Sequence, residues 1–101
     1  MKIKLMNRAI EVVGGSCEEY GYFDGSSKIV IRDGLQNGDR LDTLVHELFH
    51  AVFNVTGVSV SDEEKVVHTL ATGLTTVMID NPAFMSAIRQ LANDAREELT
   101  R

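Results

Sequence analysis

His46-Glu47-Leu48-Phe49-His50 sets two imidazoles four residues apart, with a carboxylate next to the first. On a helix that spacing puts both rings on one face, one turn apart. Both can then reach a single metal ion at about 2.0–2.1 Å per Zn–N bond. On a helical projection His46 and His50 fall away from an apolar stripe of Leu41, Leu44, Val45, Leu48 and Val52, and share a polar side with Asp42, Thr43, Glu47 and Asn54. A solvated polar face would produce the same string by chance with a probability on the order of 10⁻³ to 10⁻² for a chain of this length. An amphipathic helix with end signals is the setting in which the zinc reading outweighs that alternative.

A catalytic zinc site takes three protein ligands and leaves the fourth position to water. Glu64 is the favoured third ligand, with Glu63 and His68 as alternatives. The pair Glu63-Glu64 also has a reading without metal, as acidic residues at the positive end of a helix. Zinc acts as a Lewis acid and lowers the pKa of its water toward ~7. Glu47, adjacent to the ligands, is placed to take that water's proton and pass it to a leaving amine. Tyr20, Tyr22 and His68 are candidate donors to the developing oxyanion, and ordinary packing accounts equally well for the tyrosines.

These residues need elements to hold them. Ile3 and Leu5, then Ile10, Val12 and Val13, read as short strands around a turn at Asn7-Arg8. Tyr20–Phe23 is a further short strand, Asp24-Gly25-Ser26-Ser27 a turn, and Lys28–Arg32 the clearest strand. Asp39 or Asp42 can cap a helix that Thr56-Gly57 stops. Ser61, with Glu64 three residues later, has the pattern of a capping box. Asn81-Pro82 separates the second helix from a third, on which Phe84, Ile88, Leu91 and Ala95 form the inward stripe. The expectation is one α+β domain: a twisted sheet over about residues 2–32, the His-Glu helix over 39–55, a ligand-supplying helix over 61–80 and a C-terminal helix over 82–99.

Composition narrows the functional classes. The chain has 101 residues, 44% hydrophobic and 25% charged, which suits one small globular domain rather than a disordered or repetitive segment. A net charge of -5 without a basic run disfavours nucleic acid as a partner. The single cysteine, Cys17, excludes an internal disulfide and fits a reducing cytoplasm. No apolar run has the length of a membrane span or a signal-peptide core, so neither membrane association nor export is expected.

The run Tyr20-Gly21-Tyr22-Phe23-Asp24, then Ile29-Val30-Ile31 and Asp42–Ala51, resembles small metallopeptidase-like proteins of phages and prophages. These fall in the wider gluzincin-like group that includes the ImmA/IrrE-type peptidases. Glu63–Val67, Leu70-Ala71, Gly73-Leu74 and Asp80-Asn81-Pro82 are similar to the same group, so the resemblance runs from about Lys2 to Pro82. It implies a minimal zincin fold, His46 and His50 as zinc ligands, Glu47 as catalytic base and a downstream glutamate, best matched by Glu64, as third ligand. ImmA/IrrE-type relatives carry a second acidic residue two positions on, where this chain has Val66. The resemblance further implies a peptide or protein substrate held along an edge strand, with Lys28–Arg32 as the candidate, and action in a host cytoplasm. The rival readings are a zinc-binding phage structural or regulatory protein with little peptidase activity, and a helical interaction module without metal.

Overall fold

The N-terminal strands β1 (Lys2–Leu5) and β2 (Arg8–Gly15) pair antiparallel, with Ile3 opposite Ile10. They are joined by a two-residue turn that takes Met6 to a φ of 55°. The turn is therefore Met6-Asn7, one residue earlier than Asn7-Arg8, and Arg8 already pairs with Leu5. Two more strands follow, β3 (Gly21–Phe23) and β4 (Lys28–Arg32), paired antiparallel. Between them the Asp24 carboxylate accepts N–H bonds from Ser26, Ser27 and Lys28, and Gly25 takes a φ of 84°. Those three bonds favour the ionised carboxylate and hold the Asp24 pKa below its usual value.

The computed structural model, which describes residues 1–100, is α+β: a four-stranded sheet followed by three helices. The sheet order is β1-β2-β4-β3, with β4 running parallel to β2. Lys28–Arg32 is thus flanked by strands on both sides and has no free edge to offer a peptide, which corrects the expectation from sequence. The free edge at that end of the sheet is β3.

Helix α1 (Asn37–Thr56) begins after Gln36, so Asp39 lies in its first turn rather than at its cap. It ends as expected at Gly57, whose φ of 72° lets its N–H reach the Phe53 carbonyl. Helix α2 (Glu63–Asp80) is capped by Asp62, not Ser61: the Asp62 side chain accepts from the Lys65 N–H. Pro82 opens α3 (Pro82–Thr100), where its missing N–H costs nothing.

Ile10, Val12 and Ile29 from the sheet and Ala51 from α1 form the buried core, with Leu44, Phe23 and Ile31 packed on it. Helix α1 lies against β3 and β4 on one side and α2 on another. Val67, Ala71 and Thr75, spaced four apart, are the buried positions of α2. No residue of α3 is buried, so Phe84, Ile88, Leu91 and Ala95 do not face the core as their pattern led one to expect.

Candidate metal centre

Because α1 is covered on two sides, its most buried line is Thr43, Glu47 and Ala51, at successive i+4 positions. Thr43 and Glu47 therefore do not belong to a solvated polar side. The reason is the close approach of β3. A Cβ on Gly21 would sit 2.5 Å from the Val30 carbonyl oxygen and 2.7 Å from Thr43 Cγ2. The absent side chain lets the strand pass over the helix at Thr43, just before His46.

His46 and His50 are half-buried and look toward the start of α2. The Glu64 carboxylate meets both: Oε1 lies 2.9 Å from His46 Nε2 and Oε2 lies 2.8 Å from His50 Nε2. Ligand atoms of His46, His50 and Glu64 all lie within 4.8 Å of one another, so the three can hold a metal ion. Two imidazole nitrogens and one carboxylate oxygen are a donor set suited to a zinc-sized ion with a position left open. A tetrahedral shell at about 2.1 Å spaces its ligand atoms about 3.4 Å apart, so small rotations of these side chains accommodate the ion.

Glu63 takes a different place. Its Oε2 lies 2.6 Å from His50 Nδ1, on the side of the ring away from Glu64. With a carboxylate at each ring nitrogen, His50 donates from both only as imidazolium. Burial disfavours that charge, but the bonds to Glu63 and Glu64 outweigh it and raise the His50 pKa above 6.5. His68 lies outside the cluster: it is exposed, with its ring 6.3 Å from that of His46 in an edge-on arrangement.

The Glu47 side chain is buried beside this cluster, and desolvation raises its pKa. The neighbouring His46 and His50 and the Phe23 N–H pull the other way. A groove runs past these groups, lined by Tyr22, Phe23, His46, Glu47, His50 and Glu64. It brings the free edge β3 alongside the histidines. Tyr20 is committed elsewhere: the Arg32 guanidinium stacks 4.7 Å over its ring and also donates to the Glu18 carbonyl.

Two features of this site are not visible in the sequence. Glu63 is a candidate ligand by its position, and the structure makes it instead the partner of His50 Nδ1. Lys28–Arg32 is the expected edge strand, although Gly21, a small residue between aromatics, is a signal for the close approach of β3. No family model, curated protein or solved structure matches the chain.

Proposed function

We propose that this chain is a zinc-dependent metallopeptidase of minimal zincin-like form, hydrolysing peptide bonds of a peptide or protein substrate. The observation that carries the reading is the convergence of His46, His50 and Glu64 on one point, with buried Glu47 beside them in an open groove. His46, His50 and Glu64 would hold the ion, and Glu63 at Nδ1 would keep the His50 ring turned toward it. Zinc bound there would supply Lewis acidity toward a carbonyl oxygen and lower the pKa of its water toward ~7. Glu47 accepts a proton from the attacking water and delivers it to the departing amine, a role its raised pKa suits. A substrate strand adds to the open edge of β3, which sets its scissile carbonyl beside the histidines. His68, exposed and with its ring 6.3 Å from that of His46, is the candidate oxyanion donor. The sequence resemblance to phage and prophage metallopeptidase-like proteins supports the reading, and with it a role in a host cytoplasm is part of the proposal.

The test is Glu47→Gln assayed against a diverse peptide library. The variant should bind zinc as the wild type does and lose cleavage by a factor of at least about 10². A zinc-loaded wild type that cleaves nothing would favour a zinc-binding phage structural or regulatory role.

A further inference from the structure

Helix α3 is uncovered. Its 19 residues include no buried one, and α2 is the one element with which it makes more than incidental contact. Most of a helix's stability in a protein comes from packing its apolar face rather than from propensity. Yet Phe84, Ile88 and Leu91 recur at i, i+4 and i+7, and Leu70, Leu74 and Val77 repeat that spacing on an exposed line of α2. These six side chains are between 38% and 65% exposed. At about 150–200 Å² for each whole side chain, they present roughly 500 Å² of apolar surface. A stable interface of about 800 Å² per partner that is a little over half apolar needs roughly 450 Å².

We infer that a second copy of this chain covers that surface, the two α3 helices packing antiparallel with the α2 stripes flanking them. Charge favours this occupant and this direction. Residues 82–91 carry Arg89 alone, for a charge of +1. Residues 92–101 carry Arg96 and Arg101 against Asp94, Glu97 and Glu98, for a side-chain charge of -1. Antiparallel pairing sets each +1 half against a -1 half and opposes the helix dipoles, whereas parallel pairing sets like charge on like charge in both halves. A two-fold interface brings the same stripes of both copies together.

Sedimentation equilibrium of the full chain between about 1 and 100 μM tests this. The wild type should reach twice its 11.2 kDa mass with a dissociation constant in or below that range. Leu91→Glu should raise the constant at least a hundredfold, and Arg89→Glu, which leaves the apolar stripe intact, about tenfold. Far-UV circular dichroism and zinc uptake of both variants verify that the sheet, α1 and α2 are still formed. A wild type that stays monomeric at 100 μM overturns the inference. So does a dimer that Leu91→Glu leaves intact, and an Arg89→Glu variant that associates as tightly as the wild type overturns the antiparallel arrangement.

Discussion

Replacing Glu63 by alanine separates the orienting carboxylate from the ligand carboxylate. The substitution removes the 2.6 Å contact to His50 Nδ1 and leaves Glu64 with both Nε2 atoms. His50 then keeps its place on α1 but loses the partner that fixes its ring plane. Losing such an outer partner typically lowers metal affinity 10–100-fold, or about 1.4–2.7 kcal/mol. Glu64→Ala removes a donor outright and should exceed the upper end of that range. The two also differ in pH behaviour. Glu63 helps raise the His50 pKa, so its removal lessens proton competition for the ring. The deficit of Glu63→Ala should therefore be largest near pH 8 and shrink toward pH 6. Competition against a chromophoric zinc chelator across that range measures both effects. A Glu63→Ala affinity equal to wild type at pH 8, or a loss greater than that of Glu64→Ala, would refute the assignment.

The remaining predictions follow from the same geometry. Gly21→Ala forces a methyl against the Val30 carbonyl and Thr43, and should lower stability by about 1–3 kcal/mol in denaturant unfolding. Glu47 has a folded pKa raised above 4.5, so the fold loses stability as pH climbs from 4.5 through the folded value. Metal-free Glu47→Gln should accordingly unfold at a higher temperature than wild type at pH 7, with the gap closing below pH 4.5. For His50 the raised pKa stabilises the metal-free protein fully below 6.5, and that contribution is lost as pH rises through the folded value. Zinc needs the neutral ring, so the rise in melting temperature on adding zinc should grow from pH 6 to pH 8.

Much of this was legible because helix and strand periodicity are local properties. The His46–His50 pair, the αL stop at Gly57, the Asp24-Gly25 turn and the Asn81-Pro82 break each follow from a few neighbouring residues. What escaped depends on contacts between distant segments. Whether Lys28–Arg32 is an edge or an interior strand depends on β3 folding back beyond it, which its own alternation does not encode. Glu47 looks polar-facing on a helical projection of α1 alone, and becomes buried because Gly21 admits the sheet so closely. Glu63 and Glu64 are adjacent in sequence, and only the path of α2 past α1 sends one to Nδ1 and the other toward both Nε2 atoms. For α3 the stripe of Phe84, Ile88, Leu91 and Ala95 is expected to face the core, and the helix has no buried residue; a periodic pattern marks an apolar face without saying what packs on it.

The central claim is that His46, His50 and Glu64 form one metal site, and X-ray absorption on the zinc-loaded protein tests it most directly. One zinc per chain is expected, with two imidazoles and a low-Z oxygen shell at about 2.0–2.1 Å, and Glu64→Ala should change that shell and lower occupancy. Failure to take up zinc, or a shell unchanged when His46 or His50 is replaced by alanine, would contradict the account.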